Sequence, residues 1–259
     1  MAGFLSLSVS PAFSVGPFTD VSHVSEFVTA PRGPGVTGSI TRAESRGLGA
    51  SVFNLAGFFP LRSSFLVQLE TSFITVENKS GVVEGFGDVL FLSKAPVWRG
   101  RRKAVLFTSC IRLGTGGTAY FPYSTASTDA GVGLAYADSL GFADDASAPP
   151  PSRYLTYWIT AGGTYVLRLN DRLEENELHG HHFSGGGGVV IGVSRRFDVA
   201  AGALGLVFDS GAVREVYFSG ITAYLSPAAG LHVTVQGERG DWRERAVDAS
   251  VQAGLTVRY

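Results

Sequence analysis

Apolar and polar residues alternate strictly near the end of the chain. Ala249, Val251, Ala253, Leu255, Val257 and Tyr259 share one parity, and Asp248, Ser250, Gln252, Gly254, Thr256 and Arg258 the other. Side chains alternate across a strand with period two, whereas a helix would mix these two sets around its circumference. The rhythm recurs upstream. Phe65, Val67 and Leu69 alternate with Gln68 and Glu70; Val105, Phe107 and Ile111 with Thr108 and Arg112; Val132, Leu134 and Tyr136 with Gly131, Gly133 and Ala135. Leu155, Tyr157, Ile159, Tyr165 and Leu167 oppose Thr156, Trp158, Thr160, Thr164 and Arg168, and Leu231, Val233 and Val235 oppose His232, Thr234 and Gln236. In residues 213–225 both parities carry apolar residues, and the pattern assigns no faces there.

Turn signals divide the chain into about twelve strands, each close to the ~9–11 residues that cross a bilayer at a tilt. The expected spans are 35–44, 47–58, 62–77, 86–98, 102–114, 128–139, 153–168, 182–196, 198–209, 213–225, 229–238 and 246–259. Short joints fall near Phe59-Pro60, 99–101, Phe197-Asp198 and 226–230; longer polar joints fall at 78–85, 115–127, 140–152, 169–181 and 239–245. Short turns at one end and long loops at the other are the expected layout of an outer-membrane barrel, and an even strand number brings both termini out on one side. Residues 1–33 are rich in Pro, Ser and Gly and read as an irregular N-terminal segment, with a signal remnant or a plug as the open readings; 34–259 reads as the barrel.

Composition turns an alternating sheet protein toward a membrane one. Of 259 residues, 45% are hydrophobic and only 17% charged, with 34 Gly, 18 Phe and 9 Tyr. Soluble domains usually carry about 25% charged residues. Two charge-free stretches long enough for a helical span, 1–19 and 216–237, are interrupted by Pro11 and Pro17 and by Ser226-Pro227-Ala228-Ala229-Gly230. The polar parities hold small mixed residues, which a wet lumen tolerates and a dry core penalises by about 1–3 kcal/mol per unpaired group. Aromatics near segment ends (Phe58, Phe59, Trp98, Tyr154, Tyr157, Tyr165, Tyr224, Tyr259) suit interfacial girdles. An open sheet edge in hydrocarbon would leave backbone groups unpaired, so the first and last strands should meet. The expected fold is therefore all-β: a closed, antiparallel, up-and-down transmembrane β-barrel in the outer membrane. A soluble sandwich or lipocalin-like barrel binding a small apolar ligand is the competing fold.

Charge and chemistry then limit function. Lys and Arg number 21 against 22 Asp and Glu, which argues against nucleic acid as a partner, and the single Cys110 permits no internal disulfide framework or cysteine-rich zinc site. Gly85-Phe86-Gly87-Asp88-Val89 lacks the Lys-Ser/Thr ending of a phosphate loop and reads as a tight turn or strand entry. Gly185 to Gly188 read as a strand bend rather than a flexible loop. His179, His181 and His182 with Glu174, Glu175 and Glu177 match no metal-site spacing and read as a polar loop. Arg99, Arg101, Arg102 and Lys103 read as a solvated turn, with head-group contact as the alternative. His182-Phe183-Ser184 puts a base and a hydroxyl on one strand face and resembles the His-x-Ser of the outer-membrane phospholipase family. No Asn follows Ser184 within a dozen residues, and Asn170 and Asn176 fall in the presumed loop, so the third, orienting group is not evident. No catalytic residue, metal or cofactor is expected.

The chain also resembles a known family. Gly85-Phe86-Gly87-Asp88-Val89 followed by Lys94, Arg112-Leu113-Gly114-Thr115-Gly116, and the stretch from Ser124 to Leu134 are similar to segments of outer-membrane proteins associated with meta-pathway phenol degradation. The terminal VQAGLTVRY resembles the signal that outer-membrane barrels present to their assembly machinery. The motif-level resemblance covers about 85–135 and the C-terminus. It implies a passive outer-membrane channel for small solutes, aromatic or hydrophobic compounds among them, with the lipid bilayer and the assembly machinery as partners. Face parity nominates Gln68, Glu70, Asp88, Lys94, Arg112, Thr156, Arg168, Gln236, Glu238, Asp248 and Arg258 as pore-lining. An esterase barrel and a structural barrel with a filled lumen are the alternatives.

Overall fold

A computed structural model describes residues 34–45, 48–62, 65–78, 81–100, 102–116, 127–140, 153–168, 181–194, 196–226, 229–240 and 249–258. The N-terminal segment 1–33 lies outside them.

Thirteen strands follow one another: β1 (Gly35–Ser45), β2 (Leu48–Arg62), β3 (Phe65–Asn78), β4 (Gly81–Phe86), β5 (Val89–Arg99), β6 (Lys103–Leu113), β7 (Thr128–Leu140), β8 (Tyr154–Arg168), β9 (His182–Ser194), β10 (Phe197–Phe208), β11 (Val213–Ser226), β12 (Ala229–Gly240) and β13 (Ala249–Arg258). Each pairs antiparallel with its sequence neighbour, except where β4 and β5 lie end to end along β3. β2 pairs with β3, and β1 pairs with β13 from Gly35↔Arg258 to Glu44↔Ala249. The thirteen segments therefore close as a 12-stranded barrel. Closure satisfies the backbone groups that an open edge would expose to hydrocarbon.

The expected order of faces holds. Val251 and Leu255 are exposed, as are Ile40, Phe53, Leu69, Phe91, Phe107, Leu134, Ile159, Ile191, Ile221 and Val233, while Ser250, Gln252 and Thr256 between them are buried. Such a continuous apolar exterior has no counterpart on soluble monomers, whose largest apolar patches reach about 300–600 Å². It belongs against lipid tails, and the soluble alternatives fail on it.

Several expectations need correction. The joint expected at 78–85 is mostly strand: β4 folds back on β3 from Asn78↔Gly81 to Phe73↔Phe86, and Gly81 adopts φ 141°, a conformation glycine accepts without strain. The span expected at 86–98 is therefore broken at Gly87 and Asp88, between β4 and β5. There Gly87 lies so close to Ser72 that any Cβ would collide with its hydroxyl, and its N–H donates to the Ser72 carbonyl. The Asp88 carboxylate accepts from the Gly116 N–H at 3.1 Å, and the Thr115 hydroxyl donates to the Gly87 carbonyl at 3.1 Å. The glycine motif is a strand break sealed onto the residues after β6.

The distribution of turns is also less regular than expected. Following strand direction, residues 141–153 join β7 to β8 at the end where β1 begins and β13 finishes. The short β1–β2 and β10–β11 joints lie at the opposite end. The terminal aromatics divide: Trp98 and Tyr165 face outward, but Phe58 is 2% exposed and points into the barrel. Gly185 to Gly188 carry no bulge, since β9 pairs through them with both neighbours without a register shift.

Candidate functional site

The inward faces do not form a uniform polar lining. From β6 to β11 they carry Leu106, Ala135, Trp158, Leu204, Leu206 and Phe218, joined by Phe58 of β2 and Leu66 of β3 in one buried cluster. This explains why residues 213–225 showed no faces: β11 turns Val216 and Phe218 inward and Tyr217 and Ile221 outward, so it is apolar on both sides.

The glycine run shapes this wall. Trp158 of β8 and Phe218 of β11 stack with ring centroids 6.1 Å apart and planes 16° apart, although β9 and β10 lie between their strands. They meet because the intervening strands are bare there. A Cβ on Gly188 would stand 2.7 Å from the Trp158 ring, and one on Gly202 would stand 2.5 Å from the Phe218 ring.

The wall from β12 through β13 to β1 is polar. Thr37 and Thr256 share a hydrogen bond at 2.9 Å, and Gln252 Nε2 donates to Ser39 Oγ at 2.8 Å. His232 lies over Gly254, where a Cβ would come within 2.4 Å of its Nε2. Among the described residues, the Thr41, Thr108, Ser184 and Thr234 hydroxyls and both polar atoms of the Asn54 amide make no hydrogen bond to protein. All five side chains are buried on inward faces.

Charged groups border these walls. Arg112 of β6 stands 3.5 Å from Asp129 of β7, and Asp88 and Glu70 add negative potential around the same guanidinium. Arg214 of β11 grips Glu238 of β12 through two nitrogens, its Nε donating at 2.9 Å to Oε2 and its Nη2 to Oε1. At the terminus end, the Tyr154 hydroxyl donates to the Asp198 carboxylate at 2.9 Å.

Of the nominated residues, Gln68, Glu70, Lys94, Arg112, Thr156 and Glu238 are buried on inward faces, and Gln236 and Asp88 are half-buried with inward parity. Gln68 Nε2 donates to Glu70 at 3.3 Å, and Gln236 Nε2 to Glu238 at 3.4 Å. Arg168 and Arg258 occupy backbone positions opposite Thr128 and Gly35. Asp248 lies outside the described residues. Sequence parity missed Arg214 because β11 offered no polar face to read. It set Trp158 on the inward parity with Thr156 and Thr160 but did not nominate it for the lining.

His182 and Ser184 both face inward, but Ser184 Oγ makes no hydrogen bond, and the His182 ring packs 5.2 Å from Phe208. His181 stacks on Tyr165 at 4.0 Å, and its Nδ1 accepts the Val166 N–H at 3.0 Å. Glu174, Glu175, Glu177 and His179 lie outside the described residues. Cys110 packs with Leu90 and Leu92 as a small apolar residue.

No family model matches the chain, and no curated protein matches it significantly. Solved structures do. The COG4313 outer membrane channel from Pseudomonas putida F1 superposes with a TM-score of 0.64 at 11% identity, over 88% of this chain and 96% of that one. The NanC porin gives 0.56 at 10% identity over 87% and 100%, and the KdgM porin 0.55 at 7% identity over 86% and 99%. This chain is thus similar in fold to outer-membrane β-barrels described as channels and porins.

Proposed function

We propose that the protein is a passive outer-membrane channel for small solutes. The observation that carries this reading is a closed barrel with an apolar exterior whose inward faces hold polar side chains, Asn54, Thr41, Thr108, Ser184 and Thr234 among them, that make no hydrogen bond to protein among the described residues. A permanently dry core penalises each such group by about 1–3 kcal/mol, so an inward set of this kind suits a barrel that opens to water or solute rather than a fixed packed interior. The names of the structural neighbours, channel and porin, support the same reading.

The solute class follows from the two walls. The apolar moiety of a solute would meet the side built by Trp158 and Phe218, and its polar substituents the β12–β13–β1 side. Small aromatic or hydrophobic compounds with a polar group fit best. This agrees with what the resemblance to the meta-pathway phenol degradation proteins implies, and membership of that family is part of the proposal.

Conductance of the purified protein in planar bilayers tests the channel. Single-channel steps are expected, with cation preference altered by Arg112→Gln or Glu70→Gln. A barrel that stays closed, and stays closed after deletion of residues 1–33, would overturn it. Phe218→Ala should slow the uptake of a phenolic solute into proteoliposomes more than that of a sugar of similar size. Equal slowing would remove the aromatic lane from the proposal.

A further inference from the structure

The outer wall carries a second feature, at the end of the barrel where β1 begins and β13 finishes. Leu140, Leu155 and Ile191 form one outward rung across β7, β8 and β9. Here β8 starts at Tyr154, opposite Gly192, so β9 continues past it through Val193 and Ser194. That step opens a cleft of about 500 Å³, lined by Leu140, Arg153, Tyr154, Leu155, Ile191, Gly192 and Val193.

Tyr154 lines the cleft with its hydroxyl held inward. Its ring folds over Gly192, where a Cβ would stand 2.2 Å from it, and its hydroxyl is tied to Asp198 inside the barrel. What remains outward is apolar: Leu140, Ile191 and Val193 are 40%, 46% and 51% exposed.

Cations surround this apolar floor. Arg153 is exposed at its edge. On the neighbouring strand Lys103 and the adjoining Arg102 each stand 3.6 Å from the one carboxylate of Asp138, itself held by the Tyr157 hydroxyl at 2.9 Å. Arg196, just after β9, is exposed as well. Asp138 cancels one of these charges, and Asp198 faces inward, so the outer rim keeps a positive excess among the described residues.

We infer that this cleft is a docking site for one anionic phospholipid, with an acyl chain on Leu140, Leu155, Ile191 and Val193 and the phosphate on Arg153. The charge selects an anionic head group, and the floor continues the lipid-facing wall. A peptide cannot add here as a full strand, because β7 and β8 are paired on both edges and β9 lacks a β8 partner at this end only at Val193 and Ser194. The inference requires the barrel to sit in a membrane and is independent of whether it conducts.

Native mass spectrometry of the full-length protein, released from mixed micelles of phosphatidylglycerol and phosphatidylcholine, tests it. The wild type should retain one phosphatidylglycerol in preference to phosphatidylcholine. Arg153→Gln should weaken that retention about fivefold, the weight of one basic residue at an anionic surface. Arg153→Lys should keep it, and Ile191→Trp, which fills the cleft, should lower retention of both lipids. Heat-modifiable migration on gels verifies that each variant is a folded barrel. Equal retention of the two lipids by the wild type, or unchanged retention in both Arg153→Gln and Ile191→Trp, would overturn the inference. Either result would leave the conductance reading untouched.

Discussion

Two sides of one bore obey different rules. Between β6 and β11, Leu106, Trp158, Leu204 and Phe218 bury one another, and glycines at 188 and 202 let two rings meet across two intervening strands. From β12 to β1, His232, Thr234, Gln252, Ser39 and Thr41 offer hydroxyl, imidazole and amide groups, only some of which bond to one another. The first side gains by excluding water and is packed like a core. The second is stable only if something else completes its hydrogen bonds. A barrel that joins both accommodates a molecule with an apolar part and a polar part at the same depth. Arg214 with Glu238, at the border of β11 and β12, marks one seam between the sides.

The comparison can be broken hardest at that seam. Arg214→Met leaves the Glu238 carboxylate buried without its partner, and loss of about 3–5 kcal/mol is expected in urea unfolding followed in micelles. Combining it with Glu238→Leu should recover most of that loss. If the single variant costs nothing, the seam is wet and belongs to the polar side. Next comes the packed side. Gly188→Val places a side chain where Trp158 lies, and overpacking of about 1–3 kcal/mol should accompany a shift in tryptophan emission. Smallest of all is Asn54→Ala on β2, across from Ser39 of the polar side, expected within about 0.5 kcal/mol of wild type because its amide makes no hydrogen bond to protein among the described residues. A cost as large as that of Gly188→Val would mean that Asn54 belongs to a dry network, and the contrast between the two walls would go with it.

The barrel was legible in the sequence because lipid imposes one face on every strand. β13 is the clear case: Val251 and Leu255 meet hydrocarbon and Gln252 and Thr256 meet the interior, so period two survives intact. The interior was half legible. The inward parity of Gln68, Glu70, Lys94, Arg112 and Glu238 could be read because polarity inside contrasts with grease outside. Phe218 and Val216 were hidden, since an apolar residue facing inward looks like its lipid-facing neighbour, whereas Trp158 shared the inward parity of Thr156 and Thr160. The role of the four glycines depends on side chains from β8 and β11, far away in sequence, and no local pattern could reveal it. The β3–β4 hairpin did leave a trace: Ile74 and Val76 precede, and Val82 and Val83 follow, a turn entered at Gly81. Its six residues were too few to stand out from a loop.

The β1–β13 seam bears on how the molecule is made. Ten consecutive rungs tie Gly35 through Glu44 to residues 249–258, so the earliest stave waits for the latest before its second edge is satisfied. A chain lacking β13 would present two raw margins to the bilayer, and insertion stave by stave has no stable halfway point. Biogenesis must therefore be close to all-or-none: a truncated product should linger outside the membrane and be degraded rather than accumulate as a smaller ring.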